Sequence, residues 1–235
     1  MEVKNFNVDN IPAILWGKGS KNLFIAVHGD MSHKADDIIV QFASKAQAMG
    51  YQTLSFDLPE HGDRQDSSYP CLVQNCVNDL KTIKNFAESI SDNLSLFGCS
   101  LGVYFSLLAY KSTRLNQSLF LSPIVDMLEV IENIMSYCKI SKGRLESEKI
   151  IETSIGHTLN WDYYSYVKSN PITIWNSDTS ILYGSKDDIS NFKTISEFSE
   201  KFNCKVQILE NGEHFFHTPA QLQFFNQWLN FRIRA

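Results

Sequence analysis

The sequence is short of the features that would make a chain basic, membrane-spanning or cross-linked. Lys and Arg total 21 against 26 Asp and Glu, the formal net charge is -5, and no run of basic residues appears. That balance argues against nucleic acid or an anionic membrane as the main partner. No apolar stretch approaches the length needed to span a bilayer. The opening MEVKNFNVDNIPAILW lacks a basic segment followed by an apolar one, so no signal peptide and a cytoplasmic location are expected. Five cysteines, an odd number without C-x-x-C spacing, read as reduced thiols. Without a G-x-G-x-x-G or P-loop stretch, no cofactor is expected. His28, Asp30, His33, Asp57, His61 and Asp63 fall in separate segments with no H-x-x-x-H or H-x-D spacing, which argues against a metal site.

What is present is a regular alternation of strand and helix signals. Glu2–Asn7 and Ile11–Trp16 read as a hairpin turning at Asp9-Asn10, and "LFIAVHG" as a buried strand. Apolar positions at helical spacing mark helices over Ala35–Met49, Val73–Ile90 and Leu101–Tyr110. Between and after them, "YQTLSFDLP", "NLSLFG", "QSLFLSP", "TSILYG" and "CKVQILE" read as strands. A helix is expected over Ile189–Phe202, and a last one is opened by Thr218 at the N-cap and Pro219 at N1. The pattern predicts an α/β fold, a mostly parallel sheet with helices on both faces, forming one domain over 1–235.

The segment at about 124–176 departs from the alternation. It offers helices at Ile124–Cys138 and Leu145–Thr153, no convincing strand, and the aromatic cluster Trp161, Tyr163, Tyr164, Tyr166 and Trp175. It reads either as ordinary packing or as a short helical cap walling a pocket at the carboxyl ends of the strands, with Met31, Trp161 and Tyr164 as candidate lining.

The stretch "FGCSLG" sets a thiol and a hydroxyl side by side where a strand gives way to a helix. A nucleophile on such a tight turn needs glycines two positions before and two after to relieve crowding. Gly98 and Gly102 satisfy that spacing for Ser100; for Cys99 the same positions hold Phe97 and Leu101. Ser100 is therefore the candidate nucleophile, and Cys99 is expected to pack as a small hydrophobe.

Four further signals follow strands, two before Ser100 and two after it. "GSKD" at Gly184–Asp187 follows a strand, "GEHFF" at Gly212–Phe216 follows the last strand, and "AVHGD" and "DLPEHGDR" follow early strands. Over nearly its full length the chain thus resembles the α/β-hydrolase superfamily, whose order is nucleophile, acid, histidine. The resemblance implies a serine hydrolase in which His214 serves as general base and Asp187 orients it. It also implies oxyanion donors at the backbone N–H of Leu101 and Asp30, with Met31 as fallback for the second. The implied partner is a small-molecule ester or thioester with a modest apolar acyl group; acyltransfer, cofactor-free peroxidation and non-catalytic binding are the alternatives. An Asp at position 30 requires its carboxylate to turn away from the oxyanion or to bond a cation such as Lys34 or His33. Asp188 reads as the cap of the following helix, and His217 as part of the start of the last one.

Overall fold

The computed structural model describes residues 2–234. The chain opens with β1 (Val3–Val8) and β2 (Ile11–Trp16), paired antiparallel through a turn in which Asp9 takes a positive φ. β3 (Asn22–Val27) leads to α1 (Asp37–Ala48), β4 (Gln52–Phe56), a 3-10 turn at Gly62–Arg64 and α2 (Val73–Ile90). β5 (Asn93–Cys99), α3 (Leu101–Ala109) and β6 (Ser118–Leu121) continue the alternation. After a long insertion come β9 (Thr179–Gly184), α7 (Phe192–Phe202), β10 (Lys205–Leu209) and α8 (Pro219–Arg232).

The main sheet runs β1-β2-β4-β3-β5-β6-β9-β10. Only the β1–β2 and β2–β4 pairings are antiparallel; from β4 through β10 all strands are parallel. Parallel strands covered on both faces must be apolar throughout, and β3 and β9 are buried almost end to end. On one face α1 and α8 close over Phe24, Phe97 and Leu182, with Phe42 stacked on Phe97 at 3.9 Å. The other face packs α2 and α3 against Ile25, Leu96 and Phe120. α8 opens as expected: Thr218 and Gln221 form a reciprocal capping box with Pro219 in the first turn.

The insertion holds α4 (Met127–Tyr137), α5 (Lys142–Glu148), a small hairpin of β7 (Ile150–Glu152) and β8 (Thr158–Asn160), and α6 (Trp161–Ser169). The hairpin corrects the expectation of an all-helical segment. The second helix stops at Glu148, where Lys149 takes a φ of 66°, and Gly156 (φ 84°) lies in the connection between its strands. A second correction concerns α7. It starts at Phe192 with Asn191 as its cap, because residues 187–190 are tied into a loop described below.

Candidate active site

Ser100 sits between β5 and α3 with φ 45° and ψ -117°, a conformation that costs a non-glycine residue about 1–3 kcal/mol. The neighbouring strand holds it there. Ser100 N–H donates to Leu121 O at 3.1 Å, and Ser100 O accepts from Ile124 N–H at 3.2 Å. A Cβ at Gly98 would stand 2.9 Å from Val103 Cγ2, and one at Gly102 would run into the carbonyl oxygens of His28 and Val27. Both glycines are thus dictated by close approach, as their spacing in the sequence suggests. Cys99 turns away into the α1/α8 core, where burial pushes its thiol pKa up and keeps it protonated.

Ser100 Oγ lies 2.7 Å from Nε2 of His214, and Nδ1 of His214 lies 2.7 Å from Oδ2 of Asp187. An ionised carboxylate only accepts, so Nδ1 carries the ring proton and Nε2 of the neutral imidazole is left to accept from the serine hydroxyl. The Asp187 side chain is 0% exposed, and its Oδ1 accepts from Ile189 N–H at 3.0 Å and Ser190 N–H at 2.9 Å. Asp187 therefore caps its own turn, the place the sequence suggests for Asp188. The acid turn and the histidine loop clasp each other. Lys186 N–H donates to Gly212 O at 2.7 Å, Asn211 N–H donates to Ser185 Oγ at 2.8 Å, and a Cβ at Gly184 would meet Gly212 O at 2.5 Å. His217 lies outside this relay; its N–H donates to Gln221 Oε1 at the start of α8.

The loop after β3 passes beside the serine, for a Cβ on Gly29 would lie 3.2 Å from Ser100 Cβ. His28 braces this loop: Nδ1–H donates to Gly29 O at 2.7 Å and Nε2 accepts from Leu58 N–H at 3.0 Å. Burial pushes the His28 pKa down to about 4, which keeps it in that neutral tautomer. The Asp30 carboxylate bonds neither Lys34 nor His33. It accepts from Nε2 of His61 at 3.1 Å, and that bond holds its pKa below the usual carboxylate range against the opposing effect of burial. Lys34 instead bridges Asp57 and Asp63, and Asp57 is fully buried while also accepting from the N–H groups of Lys34 and Asp63. Leu101 is the first residue of α3, so its N–H has no partner within the helix.

Met31 projects from the same loop with 95% of its surface exposed. Trp161 and Tyr164 pack together within the insertion. Their rings lie 5.7 Å apart, Tyr164 is buried with its hydroxyl on Glu132 of α4, and Lys142 and Lys149 stand over the Trp161 ring. Tyr163 of the insertion is half-buried against the core, and burial pushes its hydroxyl pKa up. A cavity of about 270 Å³ between α4, α6 and α7 is lined by Tyr104, Val125, Val167, Pro171 and Phe198 and includes none of Ser100, Asp187 and His214.

No protein-family model matches the chain, and no curated protein matches it in sequence. Solved structures do match in three dimensions. Est1E from Butyrivibrio proteoclasticus, solved with ferulic acid bound, superposes with a TM-score of 0.77 at 17% identity, covering 96% of each chain. Mouse alpha/beta hydrolase domain-containing protein 10 gives 0.77 at 14% identity over 98% of this chain and 97% of its own. XC6422 from Xanthomonas campestris, described as an α/β serine hydrolase without lid, gives 0.69 at 13% identity over 98% and 93%. Together with the strand order and the position of the Ser100 turn, these likenesses establish that the chain has the α/β-hydrolase fold.

Proposed function

We propose that the protein is a serine hydrolase that cleaves a small carboxylic ester or thioester through an acyl-enzyme on Ser100. The observation that carries this reading is the unbroken hydrogen-bonded line from Ser100 Oγ through His214 to buried Asp187, with 2.7 Å at each link. A serine hydroxyl becomes a competent nucleophile only when a base takes its proton and donors meet the oxyanion. Here Nε2 of His214 receives the proton as Oγ attacks the acyl carbon, and Asp187 stabilises the imidazolium that forms. The oxyanion is met by the N–H groups of Leu101 and Asp30, one at the N-terminus of α3 and the other on the loop beside Ser100. His61 takes the Asp30 carboxylate, so its charge does not face the oxyanion unpaired. His214 then protonates the leaving alkoxide or thiolate, and a water activated by the same ring releases the acid.

In this reading the whole chain is one domain and the insertion at about 124–176 is a cap. Met31, exposed and next to Asp30 in sequence, meets the acyl group in this reading. The test pairs a fluorophosphonate label with a chain-length series of p-nitrophenyl esters and acyl thioesters. Wild type takes up one label at Ser100 and turns over the shorter members fastest, whereas Ser100→Ala takes up none. Labelling that survives in Ser100→Ala, or folded wild type that neither labels nor turns over substrate, refutes the proposal.

A further inference from the structure

A second reactive cluster sits outside the Ser100 line. Cys71 Sγ and Cys76 Sγ lie 3.5 Å apart, Cys71 just ahead of α2 and Cys76 in its first turns. Leu72 caps α2 and accepts from Cys76 N–H at 3.0 Å, which folds the two cysteines together across a spacing of five residues. Cys71 is half-buried; Cys76 is buried. The Cys71 N–H donates to Glu60 Oε2 at 2.7 Å, fixing the thiol-bearing residue against the preceding loop.

The neighbour that gives this pair chemistry is His61. Its Nε2 faces the Asp30 carboxylate at 3.1 Å and its Nδ1 faces Pro59 O at 2.8 Å. Both partners only accept, so both ring nitrogens carry protons and the ring is an imidazolium. Burial opposes that charge, but the bonds to Asp30 and Pro59 overcome it, and the His61 pKa is raised to about 10. Cys71 is bonded through its N–H to Glu60, the residue next to the His61 cation, and it sits ahead of the positive end of an 18-residue helix beside a thiol that burial keeps protonated. The bond from Cys76 and the positive charge of His61 draw the Cys71 thiol toward its thiolate form against the effect of burial.

We propose that Cys71 and Cys76 form a hydroperoxide-reactive site, with Cys71 as the attacking thiolate, Cys76 as the resolving thiol and His61 as the group that activates Cys71. Cys71 sulfur attacks the distal oxygen of a hydroperoxide, the O–O bond breaks, and the departing alkoxide or hydroxide takes the proton of the His61 imidazolium. Cys71 is left as a sulfenic acid. Cys76 sulfur then attacks Cys71 sulfur, the S–O bond breaks, and the hydroxyl leaves as water with the Cys76 proton. The peroxide is reduced to alcohol or water, the two thiols are oxidised to a disulfide, and His61 regains its proton from solvent. Forming the disulfide closes the sulfurs from 3.5 Å to about 2.05 Å.

The test is peptide mass spectrometry of a tryptic digest made after the folded protein has been treated briefly with hydrogen peroxide. Cys71 and Cys76 share the tryptic segment between Arg64 and Lys81, so the disulfide appears as that one peptide two hydrogens lighter and reverts with dithiothreitol. Cys76→Ser stops at the sulfenic acid, trapped by dimedone on Cys71, while Cys71→Ser yields neither product. His61→Asn slows oxidation of Cys71 by roughly tenfold or more. Oxidation at the similarly accessible Cys138 and Cys204 serves as the internal reference, and an unchanged rate there identifies a folded variant. Cys71 reacting no faster than Cys138 and Cys204, dimedone on another cysteine, or an unaltered Cys71 rate in folded His61→Asn overturns the proposal.

Discussion

Asp187 divides its carboxylate between two tasks, with Oδ2 at 2.7 Å from Nδ1 of His214 and Oδ1 accepting the N–H groups of Ile189 and Ser190. The residue that orients the histidine is also the residue that shapes the loop holding it. In Asp187→Asn the amide nitrogen turned to His214 favours the wrong tautomer, with its proton on Nε2, so kcat falls by about 10⁴-fold. Asp188→Asn touches neither contact and leaves kcat within about twofold. Steady-state rates of the two variants, compared on one ester, test the assignment of the acid.

Ser100 holds a positive φ that glycine adopts without cost. Ser100→Gly therefore loses all fluorophosphonate labelling yet gains about 1 kcal/mol of stability. Urea denaturation of the two proteins reads the sign, and a destabilised Ser100→Gly shows that the turn is not strained.

Cys99 faces the α1/α8 core and not the site. Cys99→Ala is expected to label at the wild-type rate and to lose about 1 kcal/mol for the small void it leaves. Loss of labelling in a folded Cys99→Ala would reverse the choice of nucleophile.

Two histidines bend the stability profile in opposite directions. His28 titrates near 4 in the folded protein against 6.5 ordinarily, so as the pH drops the unfolded chain binds its proton first. Stability is lost between pH 6.5 and about 4, by up to ~3 kcal/mol from this group. The His61 pKa is raised to about 10, so its contribution is complete below 6.5 and is lost as the pH climbs toward 10. Urea midpoints measured across that range should fall on both sides, and His28→Gln should flatten the acid limb alone. An acid limb equally steep in folded His28→Gln removes His28 as its cause.

Much of this was legible in the residues because the signals were local. β9 and α2 span the predicted residues, since a run such as "TSILYG" or a helical repeat from Val73 to Ile90 carries its own period. The Ser100 turn was legible for a steric reason: Gly98 and Gly102 are the positions where backbone or side chain approaches too closely for a Cβ. What escaped depends on partners distant in sequence or on very short elements. β7 and β8 hold three residues each, too few to show alternation. The bond between Asp30 and His61 joins loops 31 positions apart, and nothing near Asp30 announces it. Cys71 and Cys76 escaped because their spacing fits no familiar pairing, and only the cap of α2 turns them toward one another.

The strand order has a consequence for how the chain acquires its reactivity. Ser100 follows β5, Asp30 follows β3, Asp187 follows β9 and the His214 loop follows β10, so the central and last strands must all be in register before these groups meet. The contact between Ser100 and His214 closes a loop of 114 positions, the kind of non-local pairing that is made slowly and late. No half of the chain holds the constellation. During refolding, the recovery of fluorophosphonate labelling at Ser100, the proposed nucleophile, should therefore lag behind the return of helical signal, making it a clock for the closing of the sheet.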